Sequence, residues 1–256
     1  MKNDSKVMII TGAGTGVGSA CAIELARSGA NILINYSKSE AGAYETEKHC
    51  KKEGVDAVCV PGNVEEDQAC KNIVRTAIDR WGRVDGLVNN AGITKFVPAH
   101  DLDGLTAEDF ISMYSVNVIG AYQMIRACAP HLKETSGSIV NMSSIAAVKS
   151  IGSSTAYIAS KAALNAMTVA LARALAPEIK INAICPALID TEWHSKRFDP
   201  EKYEQFLEKY RSTVPLKAAA SPRDIAELTR WLLTENKLIT GESILIDGGL
   251  HLGKQM

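Results

Sequence analysis

A chain of 256 residues with 46% hydrophobic side chains has ample material for a packed core. Its net charge of −1 gives no bulk electrostatic reason to bind nucleic acid or an anionic membrane. No apolar run approaches the roughly 20 residues that span a bilayer, and the start from Met1 to Lys6 lacks a signal-peptide core.

In chain order, the apolar run 7–10 is too short for a helix and reads as a first strand. Thr11 and a glycine-rich turn follow, made of Gly12, Gly14, Thr15, Gly16, Val17 and Gly18, and then a helix over 19–28. Strand, glycine turn and helix together form the context in which such a turn holds a nucleotide. Gly12, Gly16 and Gly18 are spaced G-x-x-x-G-x-G, which differs from the standard dinucleotide fingerprint G-x-G-x-x-G. The physics carries over: glycine lets the backbone approach a diphosphate, and the next helix offers its positive N-terminus. Gly14 is expected to add slack.

The second strand, 31–36, ends at Tyr36, where a carboxylate that selects NAD would meet the adenosine ribose. Tyr36, Ser37 and Lys38 include no acid. Ser37 can donate a hydrogen bond and Lys38 can supply charge to a 2′-phosphate, so NADP(H) is expected over NAD(H), which stays possible. A charged helix over 41–53 and a third strand over 55–60 follow, with Asn63 and Val64 just beyond. A helix over 66–81 has Ala69, Ile73, Ala77 and Ile78 on one face and stops at Gly82. The fourth strand, 84–88, runs into Asn89, Asn90, Ala91 and Gly92, small residues that leave room for a flat ring.

A weak capping box from Thr106 to Asp109 opens one long helix, expected to run through Asn117 to about His131. The fifth strand, 138–142, leads to Ser143 and Ser144. Tyr157 and Lys161 then stand at i and i+4, so a helix puts both on one face. An ammonium beside a phenol is expected to lower the tyrosine pKa from about 10 and fit it for proton transfer. The pattern alone is loose. Tyr44 and Lys48 repeat it among Glu40, Glu45, Glu47, Lys51 and Lys52, a solvated helix face.

The sixth strand, 180–185, ends at Pro186. Residues 192–215 read as a helical flap on the substrate side, with Trp193, Phe198, Tyr203 and Phe206 as apolar candidates and Lys196, Arg197 and Lys209 as basic ones. Ser221 to Asp224 caps the last helix, and 242–246 is a seventh strand. Alternating strands and helices argue for one large α/β unit over 1–256. Cys21, Cys50, Cys59, Cys70, Cys128 and Cys185 form no C-x-x-C pair, and the five histidines are dispersed, so no metal site is expected and a reduced cytoplasm fits.

The ordered set of motifs resembles the short-chain dehydrogenase/reductase family over nearly the whole chain: Thr11 to Gly18, Asn89 to Gly92, Asn117, Ser144, Tyr157 with Lys161, and Pro186 followed by Ile189 and Thr191. The spacing of 157 − 144 = 13 residues matches the family's serine and picks Ser144 over Ser143. The resemblance implies a Rossmann-like doubly wound domain with a seven-stranded parallel sheet, assembled as a homotetramer or dimer. It implies Tyr157 as general acid in reduction and Lys161 as holder of the nicotinamide ribose. Ser144 would steady the substrate oxygen, and Asn117 would hold a relay water. Asn63 and Val64 would flank the adenine; Asn90, Ala91 and Gly92 would lie along the cofactor. Pro186, Ile189 and Thr191 would meet the nicotinamide end. Ala187 departs from the family's usual glycine and puts the local loop geometry in question. The expected activity interconverts a ketone and a secondary alcohol, as a carbonyl or 3-oxoacyl reductase. A sugar or steroid alcohol dehydrogenase using NAD is the runner-up, and a non-catalytic dinucleotide-binding regulator is the rival of another class.

Overall fold

The computed structural model describes residues 5–191 and 199–253. Seven strands form one parallel sheet in the order β3-β2-β1-β4-β5-β6-β7. They are β1 Val7–Ile10, β2 Asn31–Tyr36, β3 Ala57–Pro61, β4 Gly86–Asn89, β5 Ser138–Met142, β6 Lys180–Pro186 and β7 Ser243–Ile246. The helices are α1 Gly16–Arg27, α2 Glu40–Lys52, α3 Asp67–Trp81, α4 Ala107–Tyr114, α5 Ala121–Thr135, α6 Ala146–Lys149, α7 Thr155–Leu175, α8 Pro200–Thr213 and α9 Pro222–Thr234.

Both faces of the sheet are covered, so β1 and β2 are buried along their whole length. Successive side chains point to opposite faces. Met8, Ile10, Ile32 and Ile34 join one core with Leu25 of α1, Cys50 of α2 and Leu232 of α9. Val7, Ile9, Leu33 and Leu87 join the other with Ile73 of α3 and Leu132 of α5. β1 lies between β2 and β4. The chain winds outward from β1 to β3, then crosses back to β4 and winds the other way. The crevice at the C-terminal ends of β1 and β4 is where such sheets bind ligands.

One long helix was expected from Thr106 to about His131. The structure has that helix, unbroken from Ala107 to Thr135, but with a π-helical turn over Ser115–Gly120 between α4 and α5. The wider turn carries Asn117, whose side chain bonds outside the helix. Gly120 closes the turn against Val64, where a Cβ would stand 2.6 Å from Val64 Cγ2. Within the expected flap, α8 is present. Residues 192–198, with Trp193, Lys196, Arg197 and Phe198, lie outside the described residues.

Candidate active site

The glycine turn lies directly beside the end of β4. Thr11 N–H donates to Val88 O at 3.0 Å, and Thr11 Oγ1 accepts from Asn90 N and Ala91 N, each at 3.0 Å. Asn90 Nδ2 donates to the carbonyls of Thr11 and Gly12, again at 3.0 Å. Gly12 has φ +60°, and a Cβ there would stand 2.9 Å from Ala91 Cα. Only glycine fits that position. α1 opens with Thr15 extended, its side chain making no cap and no acid in the first turn. Such a helix N-terminus suits a diphosphate.

Gly14 supplies no slack. A Cβ there would collide with Ser39, and one on Gly42 would collide with the Gly14 carbonyl. The start of α2 sits directly on the turn, so Gly14 is small because another backbone needs the space.

Sequence distance misses one acid. The Tyr36 hydroxyl donates to Glu40 Oε1 at 3.2 Å, and its ring lies 6.4 Å from the Tyr44 ring. Tyr36 therefore faces α2, and a carboxylate stands beside it from the next element. Ser37 and Lys38 are exposed. Asn63 turns onto its own loop, bonding Glu65 through Nδ2 at 2.7 Å and Oδ1 at 3.3 Å. The Val64 side chain is only 4% exposed and packs in the core.

At the opposite wall, Ser154 caps α7 by accepting from Tyr157 N–H at 3.3 Å. That cap fixes the first turn, which carries Tyr157, and Lys161 follows one turn later. Lys161 is 5% exposed; its Nζ donates to Met142 O at 2.7 Å and stands 5.6 Å from the Tyr157 ring centre. The expected lowering of the tyrosine pKa is not found. Burial pushes Tyr157 up to about 12, with a hydrogen bond to Ser144 pulling the other way. Burial lowers Lys161 to about 8. Desolvation is the largest cause of both shifts, and the ammonium is aimed at a backbone carbonyl.

Asn117 is 1% exposed and fully engaged by protein partners. Its Oδ1 accepts from Ile93 N at 2.8 Å, while Nδ2 donates to Ile93 O at 3.1 Å and Ser160 Oγ at 3.0 Å. The side chain thus braces the loop after β4 against α7. A Cβ on Gly92 would stand 3.2 Å from Asn117 Oδ1 and 3.6 Å from Lys161 Nζ. The β4 loop and the Tyr157 helix therefore share one crevice. Ser144 Oγ accepts from Ala146 N at 3.1 Å, and Ile145 N–H donates to Pro186 O at 2.8 Å. Thr191 faces the glycine turn, its Cγ2 lying 4.0 Å from where a Gly16 Cβ would be. Ala187 continues the ladder, its N–H donating to Ile246 O at 3.3 Å, without a left-handed backbone.

Sequence reasoning passed over Met142 O, Ser160, Thr11 Oγ1 and Glu40 as site components. None carries a motif signal except Thr11, which opens the glycine turn.

This crevice, with a glycine turn at one wall and a serine, tyrosine and lysine at the other, defines a Rossmann-type dinucleotide oxidoreductase. Comparison narrows the class. The family model described as enoyl-(acyl carrier protein) reductase matches residues 12–251. The second ketoacyl reductase assigned to the granaticin polyketide synthase of Streptomyces violaceoruber is 35% identical over 97% of each chain. The 3-oxoacyl-[acyl-carrier-protein] reductase of Staphylococcus epidermidis is 31% identical over 97% of this chain and 100% of its own. A solved Burkholderia xenovorans protein, assigned as a short-chain dehydrogenase/reductase, superposes with a TM-score of 0.92 at 35% identity, covering 98% of this chain and 100% of its own. The chain belongs to the short-chain dehydrogenase/reductase family and is an enzyme acting on CH–OH groups with a nicotinamide dinucleotide.

Proposed function

We propose that this enzyme reduces a ketone to a secondary alcohol with NADPH, acting as a carbonyl or 3-oxoacyl reductase. One observation carries the reading: Lys161 Nζ lies 5.6 Å from the Tyr157 ring centre on the same helix, and it shares a crevice with Gly92 beside the glycine turn. The residues fit a dinucleotide, because Gly12 has no room for a side chain and the α1 N-terminus makes no side-chain cap. Bound there, the dinucleotide supplies the hydride.

The chain supplies the rest. Tyr157, held near 12, is protonated at neutral pH and can give its proton to the carbonyl oxygen. Ser144 donates a hydrogen bond to that same oxygen as charge develops on it. Lys161, in its cationic form, steadies the phenolate left behind. Gly12 to Gly18 would hold the diphosphate. Asn90, Ala91 and Gly92 would lie along the cofactor, and Pro186, Ile189 and Thr191 would line its nicotinamide end. The names of the ketoacyl-reductase relatives favour a 3-oxoacyl substrate. The 192–215 flap would shape the substrate side of a single-domain enzyme. Six free cysteines suit a reducing compartment such as the cytoplasm.

The test is a ketone panel that includes 3-oxoacyl thioesters, followed by NADPH absorbance. Tyr157→Phe keeps the ring and removes the proton; turnover should fall by roughly 10²–10⁴-fold. Near-full turnover would end the assignment. For the cofactor, Glu40→Gln should raise NADPH preference over NADH several-fold, by removing a carboxylate near the ribose end. An unchanged NADPH to NADH ratio of kcat/KM would remove Glu40 from cofactor selection.

A further inference from the structure

α7 carries the tyrosine and lysine assigned to proton transfer, so its position along the sheet decides where they stand. Its buried residues are Ala156, Ser160, Lys161, Leu164, Thr168 and Ala172, of which Leu164 is the large apolar one. Small side chains give shallow ridges for packing. Polar ties hold register better, because a shifted helix leaves buried donors and acceptors unpaired. Ties of this kind run down α7 at residues 161, 165 and 168, the i, i+4, i+7 spacing of one helix face. Lys161 Nζ donates to Met142 O at 2.7 Å. Asn165 Nδ2 donates to Cys185 Sγ at 3.6 Å. Thr168 Oγ1 accepts from Asn141 Nδ2 at 2.9 Å. Asn141 and Met142 belong to β5, and Cys185 to β6.

The middle tie reaches the strand that holds the Ser144 segment. Ser143 N–H donates to Ile184 O and Ile145 N–H to Pro186 O, each at 2.8 Å. Cys185, fully buried, stands between those two carbonyls. Burial pushes its thiol up, so it is uncharged at neutral pH and acts through shape and hydrogen bonding. Neither Asn165 nor Cys185 has a place in the chemistry assigned above. We propose that Asn165 is a positioning residue: its grip on Cys185 fixes the register of α7 on β6, and so the height of Tyr157 relative to Ser144. This rests on the roles assigned to Tyr157 and Ser144.

The test is the double variant Asn165→Leu with Cys185→Ala. It replaces both partners with apolar groups, so neither is left as an unpaired polar atom. It should melt close to the wild type and bind NADPH with the same stoichiometry. Its kcat on the best ketone of the panel should fall at least roughly ten-fold, because a small misplacement of a reacting group is costly. The solvent deuterium isotope effect on kcat should rise, since proton transfer from a misplaced tyrosine becomes slow. A role in folding alone would lower the melting temperature and the fraction of active enzyme, leaving the isotope effect as it is. A folded double variant with kcat within about two-fold of the wild type overturns the proposal. So does a reduced kcat with an unchanged isotope effect. If Tyr157→Phe keeps near-full turnover, the catalytic reading falls and this proposal falls with it. If Tyr157→Phe is inactive and the double variant is fully active, the proposal falls and the reading stands. Should the double variant not fold, Asn165→Ser, read in the same way, decides the matter.

Discussion

Lys161 is a cation sealed in the protein, with the Met142 carbonyl as its bonded partner among the described residues. Burial holds its pKa at about 8, below the roughly 10.4 of an exposed lysine. Between those values the unfolded chain binds more protons at this site than the folded chain. The site therefore makes stability rise with pH across that window, and imposes its full cost below it. Cys21, Cys50 and Cys59 act with the opposite sign. Burial pushes each up to about 12, so the unfolded thiols lose protons first and stability falls as pH rises. Comparing the wild type with Lys161→Met cancels the thiols. From about pH 7 to about pH 10 the difference in unfolding free energy should move toward the wild type by on the order of 2 kcal/mol. Denaturant melts at the two pH values check this, and a pH-independent difference would show that the lysine carries no burial penalty. In turnover the sign reverses. Losing the Lys161 charge above about 8 removes support for the phenolate, so kcat for reduction should decline there.

At the scale of elements, two contacts build the site, and both join elements far apart in sequence. The first seats α2 on the glycine turn. Gly14→Ala would collide with Ser39 and push the start of α2 away. NADPH affinity, read by fluorescence titration, should drop by roughly ten-fold or more, consistent with the 1–3 kcal/mol typical of overpacking. Unchanged affinity would mean that the α2 seat is irrelevant to the ligand. The second contact is the π turn. It turns Asn117 out of its helix and onto Ile93 and Ser160, joining the β4 loop to α7. Helical periodicity sees Asn117 as a mildly unfavourable helix residue and predicts one continuous rod. The extra residue per turn is a response to tertiary partners, so no local pattern announces it.

For the whole molecule, several apolar side chains remain in water. Phe110, Ile111, Ile119 and Tyr122 of the α4–α5 stretch and Val169 of α7 are each at least 36% exposed. A contact between subunits would remove such side chains from water. The family resemblance implies an assembly that packs through the long helix and the Tyr157 helix, which carry these residues. Light scattering should give about four times the 27.5 kDa chain mass, and Ile111→Glu should reduce it toward the dimer. A monomeric wild type would refute the assembly.

While the parallel sheet and Ser144 came from the family resemblance, the sequence by itself determined the order of strands and helices and the positions of Gly12, Tyr157 and Lys161. Those features depend on local chemistry: apolar period, glycine turns, and one helical turn between two side chains. Only the tertiary structure decided what each group faces. It placed Glu40 on Tyr36, turned Val64 into the core, and aimed Lys161 at Met142 O. It also raised the tyrosine pKa that spacing alone predicted to fall. The physical reason is that burial and hydrogen-bond partners come from distant segments, and desolvation, which no sequence spacing measures, sets the proton affinities in this crevice.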